Sequence, residues 1–316
     1  MAGDPMNICV LGGTGFVGSA LVNRLARDGH WVRVPTRNPV HGEHLRVLPT
    51  VELATANVHD PGTLDRLVTG MDAVINLVGI LNEHGHSTFQ LVHAALAEKL
   101  AAALKAARVR RLLQMSALGA ASGGPSRYLR SKGEAEAHIR AAAAHLDFTL
   151  FRPSVIFGPG DSLTNRFAVL LRLSGGFLPL ARACTRFAPV YVDDVAEAFA
   201  RALGNRKTHG QSYELCGPQV MTLEQLVRTT AQAAGLRCLI LKLPDPIGRL
   251  QAALLGMLPG KPMTPDNFRS LSLDSVCTDP GCERLGLTPR TMAQILPGYL
   301  SPPPATPGGF TGFGVT

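Results

Sequence analysis

No stretch of the chain reaches the roughly 18 uncharged apolar residues that a membrane-spanning helix requires. The N-terminus, Met1-Ala2-Gly3-Asp4-Pro5, places no basic segment ahead of an apolar run, so it does not read as a secretory signal. These absences lead to the expectation of a soluble, cytoplasmic protein, with a peripheral position at the inner face of the membrane left open. The six cysteines (9, 184, 216, 238, 277 and 282) form no C-x-x-C pair and lie mostly within apolar runs, so reduced core thiols are expected. No basic stripe with interleaved aromatics accompanies the net charge of +8, which arises from 31 basic and 23 acidic residues scattered along the chain. The densest basic cluster, Arg108-Val109-Arg110-Arg111, has the pattern of a helix end entering a strand, and nucleic acid is not expected as a partner. There is no internal repeat.

What is present is organised around Asn7-Ile8-Cys9-Val10-Leu11-Gly12-Gly13-Thr14-Gly15-Phe16-Val17-Gly18. An apolar run too short for a helix meets a glycine turn and then a helical pattern carrying Leu21 and Leu25, which reads as strand, tight turn, helix. Gly12 permits the sharp turn, Gly15 lets the backbone approach a pyrophosphate, and Gly18 lets the helix pack close to its strand. The free N–H groups at the helix start would face the anion.

Strands are then expected at 31–34, 51–54, 73–78, 111–115 and 147–152, with helices near 62–69, 88–107 and 126–145. This alternation predicts an α/β fold with a doubly wound, Rossmann-type parallel sheet, whose ligand lies at the carboxyl ends of the strands where their order reverses. The expected division is a dinucleotide-binding domain over 6–153 and a smaller, substrate-facing lobe over 154–300. Segments of that lobe return to the core through a late strand near 212–215. Residues 301–316, rich in proline and glycine, are expected to be a disordered tail.

About 20 residues past the glycines, where an acid would grip a ribose 2′-hydroxyl, the chain reads Val34-Pro35-Thr36-Arg37-Asn38. With no acid there, Thr36 and Arg37 suit a 2′-phosphate, favouring NADP(H) over NAD(H). Asn57, at the end of the third strand, is a candidate for the adenine edge. On a later helix Tyr128 and Lys132 stand four residues apart and share a face, so the ammonium can favour phenolate and Tyr128 can exchange a proton with a carbonyl or alcohol.

Gly12 to Gly18, Asn76-Leu77-Val78-Gly79, Tyr128 with Lys132, Arg152-Pro153-Ser154-Val155-Ile156-Phe157-Gly158-Pro159-Gly160-Asp161 and Tyr191-Val192-Asp193-Asp194-Val195-Ala196 resemble the extended and atypical short-chain dehydrogenase/reductase superfamily, the epimerase/dehydratase family. The resemblance spans residues 6 to about 235. Met115-Ser116-Ala117-Leu118-Gly119-Ala120 and Thr185-Arg186-Phe187-Ala188-Pro189-Val190 bring the chain nearest to the branch of the NADPH-binding accessory subunit of respiratory complex I and its bacterial relatives. It implies a bound NADP(H), contacted by Gly12, Thr14, Gly15, Phe16, Val17, Gly18, Thr36, Arg37, Asn57, Val58, Val78, Gly79, Lys132, Pro153 and Val155. The implied catalytic set is Tyr128, Lys132 and Ser116. Active epimerases of the superfamily carry several hydroxyls where this chain has only Ser116, followed by Ala117 and Leu118; Ser122 or Ser126 are the available substitutes. Two functions follow from the resemblance: an NADP(H)-dependent oxidoreductase, epimerase or dehydratase on a small, lipid-like or quinone-related molecule, or a non-catalytic cofactor-bound accessory or assembly protein.

Three further stretches stand out. Glu83-His84-Gly85-His86 lacks a third fixed ligand and reads as a pocket-bordering loop, not a metal site. Asp193 and Asp194 read as helix-cap residues, and Thr222-Leu223-Glu224-Gln225 as a capping box. Residues 247–258 carry apolar side chains at 247, 250, 254, 255 and 258, one helical face, for which core packing is expected and a membrane or partner contact is the alternative.

Overall fold

A computed structural model describes residues 4–258 and 260–301. Nucleotide-fold alternation runs through β1 (Asn7–Leu11), α1 (Phe16–Arg27), β2 (Trp31–Thr36), β3 (Val51–Thr55), α2 (Thr63–Val68), β4 (Ala73–Asn76), α3 (Leu96–Ala107), β5 (Arg111–Met115), α4 (Arg127–Ala141) and β6 (Asp147–Pro153). The second half supplies β7 (Ile156–Phe157), α5 (Thr164–Leu173), β8 (Phe177–Ala181), β9 (Arg186–Phe187), β10 (Val190–Tyr191), α6 (Val192–Leu203), β11 (Gln211–Leu215), β12 (Met221–Thr222), α7 (Leu223–Ala233), β13 (Leu239–Leu243), α8 (Asp245–Leu255) and α9 (Pro265–Ser270).

The seven-stranded sheet has the order β11-β6-β5-β4-β1-β2-β3, and every pairing is parallel. The order reverses between β1 and β4, which opens a crevice at their carboxyl ends. Both faces of a parallel sheet are covered, so alternate residues of one strand serve two cores. Ile8 and Val10 pack with Leu21, Val22, Leu25 and Phe199 under α1 and α6, while Cys9 and Leu11 pack with Leu100, Leu104 and Ile139 under α3 and α4. The late strand pairs Tyr213 with Phe151, and α6 packs along α1. The chain thus returns to the sheet that its first half builds.

Arg111 is the anchor of that return. It is buried, and its guanidinium donates to the carbonyl oxygens of Leu203 (3.0 Å), Asp147 (2.7 Å) and Ala202 (2.5 Å) and to the hydroxyls of Thr149 and Thr208 (each 2.9 Å). Burial pulls it down to about 10. In sequence it is one more cation in a basic cluster.

Three expectations require correction. The cysteines are not all reduced: Cys216 and Cys277 form a disulfide, and Cys184 is exposed. The bond fastens the end of β11 to a returning strap whose Thr278 and Asp279 amides donate to the Glu214 carboxylate (2.6 and 3.1 Å). The apolar face of 247–258 is not core: Gly248 and Ala252 turn inward against Ala181 and Phe268, while Ile247, Leu250 and Leu254 lie in solvent. Neither Asp193 nor Asp194 caps α6, which starts after Tyr191 and holds both in its first turn; Asp194 accepts from the Arg290 amide (2.8 Å) and pairs with the Arg290 guanidinium (2.7 Å). The Thr222 capping box opens α7 with both reciprocal bonds. The expected disordered tail lies outside the described residues except for Ser301.

Candidate active and cofactor site

The cradle forms where β1 ends. Gly12 takes φ +79°, and a Cβ there would lie 3.1 Å from Leu77 C and Val78 N, so the turns after β1 and β4 touch and only glycine fits. A Cβ on Gly18 would enter the Gly12 carbonyl and the Gly13 backbone, which explains the close seating of α1 on its strand. A Cβ on exposed Gly15 meets only the Gly12 oxygen, at 3.3 Å, and otherwise points into open space. No side chain caps α1, and its first turn carries no acid. The Phe16, Val17 and Gly18 amides therefore keep their positive field for an anionic group, with Thr14 and Phe16 flanking the turn. These residues fit a dinucleotide pyrophosphate.

The second rim is set by buried Asn76, whose amide donates to Gln114 Oε1 (2.9 Å) and whose Oδ1 accepts from the Val78 amide (3.1 Å). This bends the chain at Val78 and Gly79. Around Gly79 stand two buried groups, since a Cβ there would lie 3.3 Å from Lys132 Nζ and 3.4 Å from His93 Nε2. Pro153 ends β6 beside the same crevice, and Ser154, between it and Val155, donates to Ser275 O (2.6 Å).

His93 was not among the sequence candidates, although an isolated histidine in an apolar helical run is the available signal. It lies in a π-helical stretch, Gln90–Ala95, that precedes α3, a local irregularity that recurs at functional sites. Its Nε2 accepts from the Ile80 amide (3.1 Å), so the proton sits on Nδ1, which faces Ser131 Oγ (2.8 Å); Ser131 donates to Tyr128 O (2.8 Å). Burial, with Lys132 nearby, pushes His93 down to about 2 and keeps it neutral. It ties the Gly79 rim to the Tyr128 helix.

Tyr128 stands in the first turn of α4 with its ring edge-on to His93 and Phe89, at centroid distances of 5.6 and 5.8 Å. Its phenol is pushed up to about 12 by burial, and its hydroxyl has no hydrogen-bond partner among the described residues. The anticipated phenolate is thus corrected to a neutral phenol, which is suited to donating a proton. Lys132 is buried, donates to Met115 O (3.3 Å), and is pulled down to about 8 by burial, against the raising field of Glu136.

Ser116 does not join this pair. Its hydroxyl donates to Glu136 Oε1 (2.5 Å), and Glu136 in turn holds Arg152 through 2.8 and 2.5 Å bonds. A serine locked beneath the helix cannot polarise a substrate carbonyl. Nor is Ser126 free, because it caps α4 through the Leu129 amide (3.1 Å) and accepts from Ser270 (2.8 Å). Ser122 is exposed. The N-terminus of α4 has a second cap from far along the chain: the Arg127 and Tyr128 amides donate to Asp266 (2.8 and 3.0 Å).

At the other end of the crevice Thr36 is buried and its hydroxyl is used by the Asn38 carbonyl (2.9 Å), so of the expected pair only Arg37, exposed and without a carboxylate partner among the described residues, stands free for a 2′-phosphate. Asn57 is likewise committed to its own turn, donating to Asp60 (2.7 Å) and accepting from the His59 amide (3.2 Å); half-buried Val58 adjoins it. In the 83–86 loop, Glu83 binds the Phe89 amide (2.8 Å) and Arg127 (2.9 Å), and Lys261 Nζ donates to its carbonyl (2.7 Å).

This fold, with a glycine cradle at its switch point, defines a dinucleotide-binding protein, and the chain belongs to the NAD(P)H-binding family, whose model matches residues 12–172. It is similar to the mitochondrial NADH dehydrogenase [ubiquinone] 1 alpha subcomplex subunit 9 of Arabidopsis thaliana, at 33% identity over 85% of this chain and 69% of that one. It is also similar to a ceramide reductase of Caulobacter vibrioides, at 32% identity over 78% of this chain and 76% of that one. The fold matches an NADPH-dependent quinone oxidoreductase of Escherichia coli solved with NADPH (TM-score 0.72, 19% identity, 91% of this chain and 97% of that one).

Proposed function

We propose that the chain is an NADP(H)-dependent reductase of a lipid-like or quinone-related carbonyl compound. The observation that carries this reading is the pairing of Lys132, buried beside Gly79 at a cost to the fold, with a neutral Tyr128 one helical turn away whose hydroxyl is free of partners among the described residues. Buried, perturbed titratable groups beside a cofactor cradle are what proton-transfer chemistry requires. When bound, the cofactor supplies a hydride. Tyr128 donates its proton to the carbonyl oxygen as negative charge develops there, Lys132 holds the nicotinamide ribose, and His93 keeps the two helices and the Gly79 rim in register. Arg37 supports NADP(H) because a guanidinium matches a phosphate bidentately. The name of the Caulobacter relative supports a lipid substrate.

The inward turn of Ser116 favours one rival, a non-catalytic NADPH-holding accessory protein, for which the complex I relatives also speak. Tyr128→Phe separates the two readings. The reductase predicts loss of NADPH oxidation with long-chain ketones or quinones by two orders of magnitude or more, as befits removal of an acid catalyst, with NADPH affinity unchanged by calorimetry. Full rescue of a deletion strain by Tyr128→Phe at normal protein level overturns catalysis.

A further inference from the structure

The described surface carries one large apolar area outside the nucleotide crevice, and it is built by two elements acting together. On α8 the side chains of Ile247, Leu250 and Leu254 recur every three to four residues, and Met257 continues the line just past the helix. They point away from the protein: Leu250 is 60% exposed and Met257 83%, while the inward side of the same helix is made of Gly248 and Ala252. The small inward residues let α8 lie close on β8, with Gln251 donating to Pro179 O (3.0 Å). The β8–β13 ribbon extends this surface. Phe177 faces Leu239 and Pro179 faces Leu241 in parallel register, on the same ribbon face whose Ala181 and Leu243 end packs under α8, and Phe177, Leu239 and Leu241 are exposed. Soluble monomers rarely leave so many large apolar side chains contiguous.

The unpaired charge around this area is of one sign among the described residues. Arg172, Arg237 and Arg249 are exposed and pair with no carboxylate among the described residues. The acids nearby are already neutralised, Asp245 by Arg182 (2.6 Å) and Glu224 by Lys242 and Arg228 (2.7 and 2.9 Å). An apolar stripe on a helix, flanked by free guanidiniums, matches the boundary of a bilayer whose headgroups are anionic, where leucines enter the acyl region and cations stay with the phosphates. A second copy of the same face would bring these free cations against one another.

We infer that α8 and the β8–β13 ribbon form a docking face for an anionic phospholipid bilayer. The chain leaving α8 passes Lys261, which holds the Glu83 carbonyl, and then caps the Tyr128 helix through Asp266. Docking therefore seats the bilayer against the segment that borders the site, but the docking face does not depend on whether the site turns over.

The test is co-sedimentation of the full chain with vesicles of phosphatidylcholine alone or mixed equally with phosphatidylglycerol. The expected result is partition onto the anionic vesicles only, weakened by salt, and lowered about tenfold or more by Leu250→Glu with Leu254→Glu and also by Arg237→Glu with Arg249→Glu. Hydrogen exchange across 245–258 in the unmodified protein should slow when anionic vesicles are added, a readout that stands even if a variant fails to fold. Absence of partition at low salt, unchanged exchange at 245–258, or equal partition of a leucine variant that melts normally each overturns the inference. So does concentration-dependent dimerisation through the same leucines without vesicle binding.

Discussion

Lys132 offers the sharpest test of the site, because the reasoning predicts that removing it strengthens the empty protein. Its ammonium is buried and its folded pKa lies near 8 against an ordinary value of 10.5. That displacement corresponds to about 3 kcal/mol of unfavourable differential interaction. The sign follows from linkage: between about pH 8 and 10.5 the unfolded chain binds more protons than the folded one, so this residue's contribution to stability rises with pH, is complete above 10.5, and is lost as pH falls through about 8. At pH 7 the fold carries the full penalty. Lys132→Met removes it and gives up one 3.3 Å hydrogen bond to Met115, worth about 1 kcal/mol, leaving a gain of about 2 kcal/mol in urea unfolding without cofactor. The difference between the two proteins should then shrink from pH 8 to 10.5. Other groups, such as Cys9 and Tyr128, each pushed up to about 12, titrate at higher pH but are common to both proteins and cancel. Saturating NADPH, at a hundred times its Kd, should add about 2.7 kcal/mol to the unmodified protein and, on the proposed role of Lys132 in holding the nicotinamide ribose, far less to the variant. A destabilised Lys132→Met at pH 7 without cofactor, with parallel pH curves, refutes the account.

His93, held near pKa 2 where an unfolded histidine titrates at 6.5, contributes stability that is present above 6.5 and lost as pH falls; about 2 kcal/mol should disappear between pH 7 and 5. That acid-side slope should flatten in His93→Gln, as measured by unfolding at each pH. Reduction of Cys216–Cys277, which closes a loop with a sequence separation of 61 residues, should cost about 4 kcal/mol by chain entropy. Unfolding of the unmodified protein and of Cys277→Ser with and without dithiothreitol checks this, and the reductant should affect only the former. On the proposed NADP(H) reading, the protein should bind NADPH more tightly than NADH and Arg37→Ala should narrow that difference by about tenfold or more, since a charge-assisted contact is worth about 1.5–3 kcal/mol, as read by calorimetry with both cofactors.

The glycine turn, the alternation of short apolar runs with helical periods, and the Tyr128–Lys132 spacing are local in origin, and each was legible in the chain. Gly12 must turn where β1 ends, and apolar runs of strand length between helical patterns admit little besides a parallel sheet. The late strand at Tyr213 and the Thr222 capping box were legible for the same reason. What tertiary structure alone decided is where side chains point and what meets them from a distance. Ser116 follows its strand as expected, but only packing brings Glu136 and Arg152 beneath it and so withdraws its hydroxyl from the crevice. Thr36 and Asn57 suit a ligand by residue type, and their own turns consume them. The Cys216–Cys277 bond and the Asp266 cap on α4 join residues 61 and 138 or more positions apart, which no periodicity reports. Residues 247–258 show the division most plainly: helical period determines that their apolar side chains form a stripe, but a stripe has no inherent direction, and it was Gly248 and Ala252 fitting against β8 that turned the leucines outward.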